Sequence, residues 1–312
     1  MTTTLFSDLG GETWRIRRFP LEEDKRWSAF NASIGYSPVE GYVVLFRSSN
    51  YFFSPETGEA VATVGTRVKN RMFMAKLDEN WQIVESTLKE IDFSGCGQFL
   101  RGPEDGRLYW QDNAWHILSV MREPYISDDI PRIANYRLNG TTATLLKLHT
   151  EGDLQPMEKN WMPFYKKPAD CDYVYSAISV YKSGQGKIRR REKSEIASER
   201  IRGGSALWPV EDFNLAIVHE VDTWEKTEYS NRRFGVVTKI KRSYFHRFAR
   251  YSADGTLTHL SDRFKLSDAD IEFAAGLVVA EDEVLVSYGY KDVAAYLGKI
   301  KLDAVLSMLK EV

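Results

Sequence analysis

The chain has 312 residues, 43% hydrophobic and 28% charged, the balance of a folded globular protein with enough apolar side chains for a sizeable core. A formal net charge of −2 supplies no broad basic field and argues against a nucleic-acid partner recognised by charge. There is no apolar run of the ~20 residues that cross a bilayer. The Met-Thr-Thr-Thr-Leu-Phe start lacks a basic region and an apolar stretch, so it is not read as a secretory signal. Cys96 and Cys171 fit a reducing compartment or simple buried packing better than a disulfide framework. A protein that is cytoplasmic, or released from a cell by a route other than secretion, with no membrane partner, is expected.

In chain order, short alternating runs bounded by turn residues predict strands at Tyr42–Arg47, Arg71–Leu77, Ala114–Met121, Ile133–Leu138, Tyr173–Tyr181, Leu215–Val221, Tyr244–Tyr251 and Glu283–Tyr288. The turns between them include Asp78-Glu79-Asn80, Asn139-Gly140 and Ala253-Asp254-Gly255. Asp303 to Leu309 is the one predicted helix, with Leu302, Val305, Leu306 and Leu309 on one face. Aromatics reach 13%, and most are expected to pack on sheets, although flat rings also suit the apolar faces of sugars.

A weak internal repeat organises these runs. Five times a small or polar segment opens a short strand, turns, and returns on an apolar strand. The opening segments are Phe30–Ile34, Gly102–Tyr109, Glu158–Phe164, Arg202–Leu207 and Phe273–Val278. Each copy is followed by enough strand-like sequence for a four-stranded blade. The expected architecture is therefore all-β: one five-bladed β-propeller over residues 1–312, with the opening strands innermost and a short C-terminal helix. A two-sheet sandwich would account for the strands but not for five recurrent openings. The stretch from Ser183 to Lys193, with Lys187, Arg189, Arg190, Arg191 and Lys193, reads as a solvated loop or, alternatively, an anion-gripping one.

The sharpest chemical feature is Gly102-Pro103-Glu104-Asp105-Gly106-Arg107-Leu108. Spacing of two residues puts Asp105 and Arg107 on the same side of a strand. A cation that close holds a carboxylate charged, whereas burial raises its pKa. An ordinary turn with a surface ion pair would read the same way. Glycoside chemistry needs a positioned carboxyl group to protonate the leaving oxygen, and Asp105 is the best-placed candidate. Arg47 and Arg107 are placed to contact an anion or a sugar hydroxyl. Trp161 is either a packed blade residue or a sugar platform. No pair of histidines has metal-ligand spacing, so His116, His149, His246 and His259 read as structural or exposed, and no metal is expected.

The Glu104-Asp105-Gly106-Arg107-Leu108 segment resembles the Glu-Asp-Pro-Arg motif of glycoside hydrolase family 130, the β-mannoside phosphorylases and their relatives. The segments Glu158–Phe164, Ala216–Glu220 and Val286–Asp292 are similar to that family's later blades, so the resemblance covers most of the chain from about Asn31. It implies a five-bladed propeller acting by inversion on a β-linked mannoside or related glycan, as a phosphorylase or hydrolase. It needs no cofactor beyond inorganic phosphate as a co-substrate, and its partner is an oligosaccharide or glycoconjugate. The general acid would fall on Asp105, the phosphate-gripping residues on Lys159 and His219, and a sugar contact on Asp292. Asn31, Arg47, Glu104, Arg107, Asn160, Trp161 and Tyr288 complete the expected substrate-binding set. The chain departs from the family at Gly106, where the family has proline. It departs again at Tyr181-Lys182, read as the end of the third returning strand, where the family tends to place arginine. These departures keep open a non-catalytic, glycan-binding or assembly propeller.

Overall fold

The computed structural model describes residues 3–16, 27–53, 60–63, 65, 67–97, 101–122, 130–150, 158–165, 172–175, 179–181, 188–190, 200–231 and 235–312. Five antiparallel sheets form the blades of a β-propeller. The first blade runs outward through Ser28–Ser37, Gly41–Ser49, Asn70–Lys76 and Lys89–Glu90, with a side hairpin of Tyr51–Phe53 and Ala60–Ala62. The second is Glu104–Gln111, Ala114–Met121, Arg132–Asn139 and Thr142–His149. The third is Met162–Pro163, Tyr173–Tyr175, Ser179–Tyr181 and Ile188–Arg190. In the fourth, Arg202–Gly203 and Trp208–Val210 both pair with Phe213–Asn231, followed by Gly235–Ser252, Leu257–Leu260 and the C-terminal Lys310–Glu311.

The fifth blade closes the ring with sequence from both ends of the chain. Its inner strands are Glu272–Ala280, Glu283–Tyr290 and Ala294–Lys301, and its outer strand is the N-terminal Glu12–Arg15, paired from Glu12↔Lys299 to Arg15↔Tyr296. Such pairing covers an edge that would otherwise offer open backbone groups. The predicted C-terminal helix is present as Leu302–Ser307, with Val305 buried in the core beneath the fourth and fifth blades.

Small side chains let the inner strands crowd the axis. Ser33 knits three blades together: its Oγ donates to the Ala275 carbonyl (3.0 Å) and accepts from the Leu108 N–H (2.9 Å). Ser287 Oγ likewise donates to the Ala32 carbonyl and accepts from the Ile34 N–H, each at 2.8 Å. The third and fourth blades join through paired bonds, Tyr165 N–H to Leu207 O (3.0 Å) and Leu207 N–H to Pro163 O (2.7 Å).

Three sequence expectations need correction. The run Tyr173–Tyr181 is two strands, because Tyr173 pairs with Tyr181 across a hairpin rather than continuing to it. Tyr181 therefore belongs to the third strand of its blade, and the returning strand ends at Tyr175. The strands expected at Leu215–Val221 and Tyr244–Tyr251 extend much further, to Phe213–Asn231 and Gly235–Ser252. The basic stretch is not wholly a loop, since Ile188–Arg190 forms the third blade's outer strand; its remainder, with Cys171 and Lys182, lies outside the described residues. Cys96 is a buried free thiol. No helix among the described residues is long and apolar enough to cross a membrane.

Candidate active site at the propeller axis

The inner strands bring polar residues together through a shared backbone device. Pairing slips between Phe30 and Ser33, between Glu104 and Arg107, and between Ala274 and Gly276, so three inner strands bulge at the same level. Bulges re-aim side chains, and Asn and Asp tolerate the left-handed backbone they require. Asn31 (φ 48°), Asp105 (φ 48°) and Asn160 (φ 63°) all adopt that conformation. Asn31 Nδ2 donates to Asp105 Oδ1 at 2.8 Å, and Asn160 Oδ1 accepts from Arg107 at 3.0 Å.

Asp105 is the centre of the cluster, with 18% of its side chain exposed. Arg47, near the end of the first blade's second strand, donates from Nη1 to Asp105 Oδ1 at 2.8 Å. Burial pushes the Asp105 carboxyl up, but Arg47, the Asn31 hydrogen bond, Arg107 and Lys159 outweigh it and hold the group well below the usual carboxylate range. Asp105 is therefore ionised in the ligand-free protein. Glu104 faces two further cations, Arg122 Nε at 3.2 Å and Lys159 Nζ at 3.8 Å. Burial lowers the Lys159 pKa, although Glu104 and Asp105 pull it back up.

Asp292 reaches the same cluster from the turn after the fifth blade's second strand, at φ 54°. Its Oδ2 accepts a 2.7 Å hydrogen bond from Tyr51, whose ring lies under the Arg47 guanidinium at 5.7 Å. Burial raises its carboxyl to about 6, against the opposing pull of the Tyr51 hydrogen bond and Arg47. Asp105 and Asp292 act on the same neighbours, Arg47 and Tyr244 among them. Two nearby carboxyls with environments that push them apart can hold different protonation states near neutral pH.

The other expected residues are placed differently. Arg107 is 1% exposed and each of its nitrogens donates to protein: Nε to Gly204 O (2.9 Å), Nη1 to Asp105 O (2.8 Å) and Nη2 to Asn160. Burial lowers it to about 10, so it stays cationic, but it acts as a tie between the second, third and fourth blades. His219 is 2% exposed, stacked on Tyr244 (centroids 5.8 Å) and edge-on to Phe273 (5.0 Å). Burial, then His246, Arg107 and Arg202, hold it well below the ordinary histidine range, so it is a neutral imidazole. Trp161 is wholly buried among His149, Tyr173 and Tyr181 and donates to Glu158 at 2.9 Å, leaving no face for a sugar. Tyr288 is wholly buried in the fourth-and-fifth-blade core beside Tyr296. Both are corrections: Trp161 is buried just before the third blade's first strand, and Tyr288 falls on the blade-packing face of its strand.

The sequence reading missed Tyr51, Asn70, Arg122 and Tyr244. Arg122 was the most recoverable, because it directly follows the second blade's returning strand much as Arg47 lies near the end of the first's. Among the described residues, no group of three or more His, Cys, Asp or Glu is placed to hold a metal.

No family model matches the sequence, and no curated protein sequence matches it. Solved structures do match. A β-1,2-mannobiose phosphorylase from Listeria innocua superposes with a TM-score of 0.60 at 13% identity, covering 95% of this chain and 99% of its own. The chain shares its five-bladed propeller fold with these solved structures. A member of the GH130 family of mannoside phosphorylases, described as containing glycoside hydrolases that target β-1,2 mannosidic linkages in Candida mannan, gives 0.58 at 14% identity over 88% of this chain and 85% of its own. A GDP-Man-dependent mannosyltransferase from Leishmania mexicana gives 0.53 at 12% identity over 93% and 89%. One propeller thus houses phosphorylase, hydrolase and transferase chemistry, and the reaction has to be argued from the site.

Proposed function

We propose that the axial site binds a β-mannoside or related glycan and cleaves it with inversion, with Asp105 as general acid. The observation that carries this reading is the convergence of Asn31, Arg47, Glu104, Asp105, Lys159 and Asp292, drawn from four blades, on one cluster of hydrogen bonds, ion pairs and a cation–ring contact. Such a set offers donors and acceptors for sugar hydroxyls, and its cations favour an anionic co-substrate. An acid must carry a proton, and the ligand-free surroundings of Asp105 keep it ionised. Displacement of Arg47 or Asn31 by a sugar, or arrival of phosphate beside Lys159 and Arg122, would raise its pKa toward the range where it can donate.

The decisive experiment incubates the protein with β-1,2-mannobiose, with and without inorganic phosphate. The expected result is mannose release, or mannose 1-phosphate when phosphate is present. Asp105→Asn should lower turnover by ~10²–10⁴-fold, the usual contribution of a positioned acid. Undiminished activity in that variant removes Asp105 from the mechanism.

A second reading is favoured by His219 and Arg107. His219, expected to grip phosphate, is neutral behind Phe273, and Arg107, expected at the substrate, is buried with its Nε, Nη1 and Nη2 each bonded to protein. That arrangement suits hydrolysis, or glycan binding without turnover, better than phosphorolysis. Saccharide binding with no product in either buffer would establish the binding role.

A further inference from the structure

A groove of about 480 Å³ opens on the site face between the first and second blades, lined by Asn70, Arg71, Glu90, Ser94 and Arg101 among others. Its size falls within the roughly 300–1,000 Å³ of clefts that take small ligands. It is continuous with the axial cluster through one side chain: Asn70 lines it, and Asn70 Oδ1 accepts from Arg47 Nε at 3.0 Å. Two hydrogen bonds in series therefore link the groove to Asp105.

We propose that this groove is a binding site for the sugars of an oligosaccharide beyond the one at the axis, so that the protein acts on chains rather than on disaccharides alone. The proposal rests on the axial site's being a glycan site. Asn70 is 7% exposed, yet its Nδ2 has no hydrogen-bond partner among the described residues. A buried amide donor without a partner costs about 1–3 kcal/mol, and a turn of the Asn70 amide toward a sugar oxygen in the groove it lines would relieve that cost.

The groove is also built rather than incidental. The Asn70 N–H donates to the Arg101 carbonyl at 2.6 Å. Gly102, at φ +87°, packs so closely that a Cβ there would lie 2.4 Å from the Asn70 carbonyl oxygen. Arg71 is held by both oxygens of Glu90 and lies over the Trp27 ring at 5.3 Å, which fixes one wall. Exposed Glu90, Asp92 and Ser94 form a rim of acceptors and hydroxyl. Mixed donors and acceptors of both charge signs suit a neutral polyhydroxylated chain better than an anion or an apolar ligand.

The test measures dissociation constants for β-1,2-mannobiose and β-1,2-mannotetraose by calorimetry on the full chain. The wild-type protein should bind the tetrasaccharide at least about tenfold more tightly, a difference near 1.4 kcal/mol. Ser94→Trp, which fills the groove from an exposed position and leaves the axial residues untouched, should abolish that preference and leave mannobiose affinity unchanged. Arg101→Ala provides a second variant with the groove widened instead of filled, and it should also reduce the tetrasaccharide preference. Equal affinity for the two saccharides, or a length preference that survives Ser94→Trp, overturns the groove and leaves the axial reading intact. Binding of neither saccharide overturns both.

Discussion

At Asp105 and Asp292 the same physics yields opposite results. Both carboxyls are penalised by burial, but only Asp105 has Arg47 in direct contact, so it stays ionised while Asp292 rises to about 6. The Tyr51 hydroxyl donates to Asp292 and so favours its charged form. Tyr51→Phe removes that donor and should move Asp292 further up. If Asp292 contacts substrate when ionised, the acidic limb of the kcat/KM profile, expected near 6 in the wild-type protein, shifts to higher pH in the variant. A profile unchanged by Tyr51→Phe would detach that limb from Asp292. A neighbouring test concerns space. A Cβ at Gly289 would lie 2.0 Å from Asn31 Oδ1 and 2.8 Å from the Asn31 nitrogen. Gly289→Ala should push Asn31 off Asp105, reduce turnover, and cost about 1–3 kcal/mol of stability, as overpacking does. Denaturant titration beside an activity assay reads both effects.

Among the elements, the fourth blade's long hairpin separates fold from ornament. Its ladder continues past Asp222↔Ser243 as far as Asn231↔Gly235, whereas the buried residues Leu215, Ile217, Phe248 and Tyr251 all lie nearer the blade. A two-stranded ribbon adds little stability by itself. Joining Thr223 to Arg242, which pair directly, through Asn-Gly should leave Tm within a few degrees of the wild-type value. A collapse in Tm would show that the ribbon carries structural load. The extension was invisible in the sequence because Asp222 to Arg242 is mostly polar, and alternation reports a buried face rather than a hydrogen-bond ladder. The opposite error occurred at Tyr173–Tyr181, where apolar residues on both sides of a turn read as one strand. The five opening segments were legible because crowding at the axis forces small residues such as Ala32, Ser33, Gly204 and Ala275 into them. Asp105, Arg47 and Asn31 were recoverable for the same reason, since they sit in or beside those openings. Tyr51 and Asn70 were not: they join the site from the first blade's periphery, and nothing in their local sequence marks it.

For the whole molecule, ring closure and pH set the terms of stability. The N-terminal segment closes the fifth blade with Glu12–Arg15 and inserts Phe6, wholly buried, against Phe264 at 5.9 Å. Phe6→Ala should cost about 3–5 kcal/mol, the usual loss for a buried phenylalanine, and an equilibrium denaturation curve measures it. The response to acid follows from histidines that the fold keeps neutral. Burial pushes His116, His149 and His219 below the ordinary histidine value, and His149 to about 4. Below about pH 6.5 the unfolded chain takes up protons at these sites that the folded chain refuses, so stability falls as pH drops. For His149 that loss continues down to about 4. Asp292 opposes it, because between about 6 and its unfolded value the folded protein holds a proton that the unfolded chain has released. Three histidines against one carboxyl leave a net loss, and Asp105 does not enter until the pH falls through its unfolded range, below this window. Both ring nitrogens of His149 lack hydrogen-bond partners among the described residues, and the ring lies against Trp161, Tyr173 and Tyr181. His149→Phe keeps an aromatic ring there and removes the titration. Between pH 7 and 5 the wild-type Tm should fall, and the variant's Tm should fall measurably less; identical slopes would place the acid sensitivity elsewhere.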